Sequence, residues 1–181
     1  AQLLRIAEET EEVDALIFVG LPLEYQGKLY NVAAGLSHGE ILGFVPKINL
    51  PNYNEFYEAR YFTSGEKVDG SITIKKEAPE LEFDTEKFAG ILTGGKVIEF
   101  GFDDMDEEYD MEDEENPDYI EDDSEEEDMD EYDVSISPNL VFTCNEIPKL
   151  QVAAEICEDL WVPNPPSVQH AYHGANLIVN L

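Results

Sequence analysis

Two residues in this chain have types and surroundings suited to covalent chemistry. Cys157 lies in Ala-Glu-Ile-Cys-Glu-Asp-Leu-Trp-Val-Pro (154–163), and Lys47 lies 110 residues upstream in Val-Pro-Lys-Ile-Asn-Leu-Pro-Asn-Tyr-Asn-Glu-Phe-Tyr-Glu-Ala-Arg (45–60). Each falls where an apolar strand breaks into a polar turn, the place where a rigid scaffold presents reactive groups. A thiol of ordinary pKa, about 8.5, is only a few per cent thiolate at neutral pH. A lysine ammonium about 4 Å away, at an effective dielectric near 20, contributes on the order of 4 kcal/mol before desolvation is charged against it. Lowering the thiol pKa by roughly two units takes about 2.7 kcal/mol, so one close cation suffices. The same ammonium would then face the oxyanion formed when the thiolate attacks a carbonyl.

Neither residue is persuasive alone. A solitary cysteine at a strand end is most often a small buried hydrophobe. Cys144, in Leu-Val-Phe-Thr-Cys-Asn-Glu, is the internal comparison, with nothing around it that suggests activation. A lysine that follows a proline is most often a solvated surface charge.

The surrounding text decides the matter. Phe-Val-Gly-Leu-Pro-Leu (18–23), Leu-Tyr-Asn-Val-Ala-Ala (29–34), Gly-Glu-Ile-Leu-Gly-Phe-Val-Pro-Lys (39–47) and Leu-Pro-Asn-Tyr-Asn-Glu-Phe-Tyr-Glu-Ala-Arg-Tyr-Phe (50–62) stand in order. Glu-Ile-Cys-Glu-Asp-Leu-Trp-Val-Pro-Asn-Pro-Pro-Ser (155–167) and Gly-Ala-Asn-Leu-Ile-Val-Asn-Leu (174–181) follow. This series resembles the glutamine-hydrolysing, nitrilase-superfamily (carbon-nitrogen hydrolase) domain of glutamine-dependent NAD synthetases. The resemblance covers residues 1 to about 65 and 138 to 181 well, and the stretch between them poorly. It implies that Cys157 is the nucleophile, Lys47 its catalytic partner that stabilises thiolate and oxyanion, Glu58 a supporting acidic residue and Tyr53 an aromatic that holds glutamine. The family's third catalytic residue, a glutamate general base, is expected upstream of residue 1; Glu11, Glu12 and Glu24 do not match its motif.

By the same resemblance, residues 1–181 form a partial glutaminase domain, an α/β fold of nitrilase-like α-β-β-α sandwich type, incomplete at both ends. Its glutamine-derived ammonia would pass to an ATP-dependent synthetase domain, absent from this chain, that converts deamido-NAD to NAD. No cofactor is expected in the present domain; ATP and magnesium belong to the synthetase domain. The partners implied are L-glutamine and that second domain of the same polypeptide, in a homo-oligomeric full-length protein, with the isolated chain inactive. Two alternatives stand beside this expectation: a stand-alone nitrilase-superfamily amidase acting on another small amide, and a catalytically inactive acidic interaction module.

Composition agrees with a soluble cytoplasmic chain. At 181 residues it is long enough for one domain, and such a domain buries about 70% of its unfolded surface. There is no basic segment leading an apolar one, and no apolar run near the length of a membrane span. Two cysteines make no disulfide framework, and a bridge between them would consume the nucleophile. The net charge of -32 is mostly local: between Asp103 and Asp133, 21 of 31 residues are Asp or Glu and none is Lys or Arg. Such a run repels itself and cannot bury enough apolar surface to offset its ordering entropy, so 103–133 reads as a disordered insertion. Its sign argues against nucleic-acid binding. Calcium-loop spacing is absent from it.

The elements that must position the two residues follow from hydrophobic pattern. Residues 2–12 read as a helix and 15–19 as a buried strand; 30–36 and 41–45 flank a hairpin turn at 37–40, the second strand delivering Pro46 and Lys47. Asn52 or Asn54 caps a short helical turn that places Glu55 and Glu58 together near Lys47. Strands follow at 140–143 and 150–156, where Leu150, Val152, Ala154 and Ile156 share one face and Cys157 leaves on the other. Ser167 reads as the cap of a helix to about His173, stopped by Gly174, before a strand at 177–179. Trp161 reads as packing beside the nucleophile turn. His38, His170 and His173 lack metal-ligand spacing, and no Gly-rich phosphate loop is present, so no metal site is expected.

Overall fold

The computed structural model describes residues 2–75, 96–100, 131–147 and 149–181. Helix α1 (Gln2–Glu9) precedes three consecutive antiparallel strands, β1 (Ile17–Tyr25), β2 (Lys28–Ser37) and β3 (Glu40–Pro46). Both connections are two-residue turns, Gln26-Gly27 and His38-Gly39, with all four φ angles between 45° and 77°. That left-handed pair is the backbone whose twist matches the flanking strands, and glycine at its second position enters it without a Cβ penalty. β4 (Gly70–Lys75) and β6 (Glu131–Ile136) complete the first sheet, whose order is β1-β2-β3-β6-β4. The second sheet runs β5-β7-β8-β9, from β5 (Lys96–Phe100), β7 (Leu140–Cys144), β8 (Gln151–Glu155) and β9 (Leu177–Asn180), with helix α2 (Pro166–Tyr172) between β8 and β9.

Strand alternation sorts the apolar side chains into three layers of packing. On β2, Val32, Ala34 and Leu36 face α1, joined there by Phe44, Ile72, Ile74, Val134 and Ile136, with Ala7 and Leu4 of the helix. Ala33 and Val45 point the other way and meet Leu140, Phe142, Val152, Ala154 and Ile156 of the second sheet. Val141 and Ala153 occupy the far face of that sheet, with Ala175 and Ile178, and α2 packs against β8 there. The first sheet is thus covered by α1 on one face and by the second sheet on the other. Each fully buried Leu, Ile or Phe in these layers contributes about 1.5–3 kcal/mol of transfer free energy.

The two sheets approach closely where the first carries glycine. A Cβ on Gly35 would lie 2.9 Å from the Phe142 ring, and one on Gly43 would lie 2.7 Å from Leu140 Cδ1. Phe142 fills the resulting hollow and packs edge-on against Phe18, with ring centroids 5.3 Å apart.

Several expectations are corrected. The acidic tract 103–133 was expected to be disordered throughout, yet its last three residues belong to β6; residues 103–130 lie outside the described residues. Glu131 and Asp133 occupy the exposed face while Tyr132 turns inward, where its hydroxyl accepts the Ile41 backbone N–H at 3.0 Å. A charge count hides this alternation because it ignores which face each carboxylate occupies. Ser167 is not the cap of α2: Pro165 is, with Pro166 at the first helical position, where its missing N–H costs nothing. Gly174 does end the helix, at φ 102°.

Candidate functional site

β3 carries Lys47 to the site by continuing its own alternation past its last residue. Val45 faces the second sheet, and two residues later Lys47 points the same way. Its backbone N–H extends the β2–β3 ladder by donating to Asn31 O at 2.8 Å, and its carbonyl accepts the Gly65 N–H at 2.8 Å. The lysine is not the solvated charge its type suggests: the residue is 1% exposed. Its Nζ donates to Glu58 Oε2 at 2.7 Å. A buried ammonium persists only with such a partner.

Glu58 opens a short 3₁₀ turn, Glu58–Arg60, with Tyr57 before it and no side-chain cap. The expected helical turn from Asn52 or Asn54 is therefore corrected. Asn54 takes a left-handed φ of 53° in a tight turn closed by Phe56 N–H to Tyr53 O at 3.0 Å. The chain bends there instead of coiling, so Glu55 and Glu58 do not share a helical face. Glu58 is the acid that meets Lys47, anchored by its own N–H to Pro51 O at 3.2 Å.

Cys157 stands at the mouth of β8, at the start of a 3₁₀ turn Cys157–Trp161. Its φ is 47°, a left-handed conformation that costs a non-glycine residue roughly 1–2 kcal/mol. Surrounding bonds hold it: the Cys157 N–H donates to Leu181 O at 2.9 Å beyond β9, and Asp159 N–H donates to Ile156 O at 3.1 Å. The thiol is exposed, whereas Cys144 is buried, and neither is in a disulfide. Cys144 Sγ lies 3.5 Å from Glu146 Oε2.

The Lys47 and Cys157 segments are joined directly. Asp159 Oδ1 accepts the Asn49 backbone N–H at 2.7 Å and Asn49 Nδ2 at 2.9 Å. Its Oδ2 accepts the Ile156 N–H at 3.2 Å. Farther out, the Tyr53 hydroxyl donates to Glu158 at 3.0 Å to either carboxylate oxygen. That hydrogen bond to Glu158, then desolvation and the nearby negative charges, hold the tyrosine pKa above its usual value. Sequence reasoning passed over Asn49, Glu158 and Asp159. The signal available for Asn49 and Asp159 is positional, since each lies two residues beyond its reactive neighbour. Trp161, expected to pack, is 74% exposed. It ends a turn one residue before the chain re-extends at Val162.

Behind the nucleophile turn, Glu155 and His170 are buried. Glu155 Oε2 accepts the Ser167 N–H at 3.2 Å. His170 Nε2 pairs with Pro138 O at 2.8 Å. Burial lowers the His170 pKa, against the backbone hydrogen bond and the nearby carboxylates that raise it. Among the described residues no group of three or more His, Cys, Asp or Glu is placed to hold a metal ion. No helix among them is long and apolar enough to cross a membrane.

Fold and site together define a mixed α/β protein in which an exposed, strained cysteine on one sheet is tied to a buried lysine–glutamate pair on the other. Chains of similar sequence are glutamine-dependent NAD(+) synthetases. That of Mycobacterium bovis is 28% identical over 179 residues, 99% of this chain and 18% of its own length. That of Aquifex aeolicus is 44% identical over 63 residues, 35% of this chain and 11% of its own. The chain thus spans under a fifth of the length of the relatives it matches. Among solved structures, the glutamine-dependent NAD(+) synthetase of Cytophaga hutchinsonii superposes with a TM-score of 0.51 at 18% identity, over 98% of this chain and 19% of the other. The Acinetobacter baumannii synthetase, solved with ADP, gives 0.50 at 20% identity, over 99% and 20%. No protein-family model matches the chain.

Proposed function

We propose that this chain is the glutamine-hydrolysing part of a cytoplasmic glutamine-dependent NAD(+) synthetase, built on a nitrilase-like sandwich, with Cys157 as nucleophile and Lys47 beside it. The observation that carries this reading is the buried Lys47–Glu58 pair at 2.7 Å, docked through Asn49 and Asp159 onto the turn that bears an exposed thiol. It is supported by the similarity of 99% of this chain to part of synthetases named for glutamine dependence.

The Cys157 thiolate attacks the side-chain amide carbon of glutamine, forming a C–S bond and an oxyanion. The buried Lys47 ammonium, which Glu58 orients, stabilises that charge. Collapse breaks the C–N bond, and ammonia leaves with a proton delivered by a general acid, leaving a thioester. Water adds to the thioester, glutamate departs and the thiol is restored. Tyr53, hydrogen-bonded to Glu158 beside the nucleophile, is placed to contact the substrate. The glutamate acid-base of the family has no match in residues 1–181. The ammonia goes to an ATP- and magnesium-dependent synthetase part of the same polypeptide.

The test separates the two half-reactions in the natural polypeptide. Cys157→Ala should abolish glutamine-dependent NAD formation while leaving ammonia-dependent formation intact. Retained glutamine-dependent turnover would overturn the assignment.

A further inference from the structure

The candidate nucleophile and its lysine are carried by different sheets, and a single buried carboxylate bridges them. Asp159 is 2% exposed. Its three hydrogen bonds divide between the two sides: two from Asn49, two residues past Lys47, and one from the N–H of Ile156, immediately before Cys157. It also sits in the first turn after the nucleophile, where its own N–H closes onto Ile156 O. The other side-chain link between the two segments among the described residues, Tyr53 to Glu158, is exposed and lies farther from Lys47 along the chain. A carboxylate is suited to this place because both oxygens only accept, and all the groups aimed at it are N–H donors.

We infer that Asp159 is a positioning residue that sets the separation of the Cys157 thiol from the Lys47 ammonium. This inference rests on the function proposed above. The attraction between thiolate and ammonium falls with distance, so a slack tie lowers the thiolate fraction at neutral pH. It also moves the ammonium away from the developing oxyanion, and a displacement of about 1 Å at a reacting centre can cost on the order of 100-fold in rate. Asp159→Asn tests the tie with minimal change of shape. The amide oxygen can keep both Asn49 bonds, but the amide nitrogen then confronts the Ile156 N–H, donor against donor. Asn49→Ala is the gentler second variant, since it deletes one side-chain bond and leaves the backbone bond in place.

The experiment measures iodoacetamide alkylation of Cys157 against pH in the natural polypeptide, read by peptide mass spectrometry, together with kcat and KM for glutamine hydrolysis. In Asp159→Asn the alkylation midpoint should rise by about one unit. Its kcat should fall about 10- to 100-fold, with KM changing less than about threefold. Asn49→Ala should move both in the same direction by less, and it decides the matter if Asp159→Asn does not fold. A folded variant whose alkylation midpoint stays at the wild-type value overturns the inference, whatever happens to kcat, because a purely structural role would leave the thiol unmoved. Failure of the functional reading shows elsewhere, as a wild-type Cys157 that titrates like an ordinary thiol and as glutamine turnover that survives Cys157→Ala.

Discussion

Cys157 combines two properties that structural cysteines lack, exposure and a left-handed backbone. Strain of this kind is kept where a side chain must be aimed, so relieving it should stabilise the chain while removing its chemistry. Cys157→Gly should therefore be more stable than Cys157→Ala by about 1 kcal/mol, measured as a shift of the urea midpoint. The two cysteines should also differ in alkylation: exposed Cys157 reacts in the native state, while buried Cys144 reacts only on unfolding. The Lys47–Glu58 pair is asymmetric, with a lysine side chain 0% exposed and a glutamate 26% exposed. Glu58→Ala strands a buried ammonium and should cost about 3–5 kcal/mol. Lys47→Met leaves a carboxylate that water can reach, so its unfolding free energy should fall less even though turnover is lost.

At the level of elements, the site depends on how closely β3 lies over β7. Gly43→Ala would drive a Cβ to 2.7 Å from Leu140 Cδ1, an overpacking that should cost about 1–3 kcal/mol. Because β3 also carries Lys47, glutamine turnover should fall with it, which parallel urea titration and activity assays would show. The hairpin turn 38–39 and the strand endings near Lys47 and Cys157 were legible in the sequence from alternation and turn residues. β4 is not legible in the sequence, because Ile72 and Ile74, both buried, make an alternation too short to set a strand apart from a turn. The expected cap at Ser167 failed because a proline at the preceding position already supplies the helix start, and Ser167 N–H is committed to Glu155.

For the whole molecule, stability should depend on pH through His170. Its folded pKa lies below the ordinary value near 6.5 because burial disfavours the cation. The unfolded chain therefore binds the proton more readily. The contribution is fully present above about pH 6.5 and is lost as pH falls from there toward the depressed folded value. His170→Gln should accordingly flatten the decline in unfolding free energy below pH 6.5, read by urea titration across pH. The net charge of -32 adds a broader effect, since added salt screens self-repulsion within a Debye length of about 10 Å at 0.1 M.

Sequence alone determined the apolar alternation of the strands, the two break points that bear Lys47 and Cys157, and the concentration of charge in one tract. These are local properties, written in residue type and spacing. Tertiary structure decided the rest. It chose Glu58 over Glu55 as the lysine's partner because a left-handed Asn54 bends the chain before the turn begins. It placed Tyr132 inward at the end of an acidic run because β4 and β3 offered it a paired strand. It also joined two reactive segments through Asp159, a contact across 110 residues that no local pattern encodes, since it exists only once both sheets have packed.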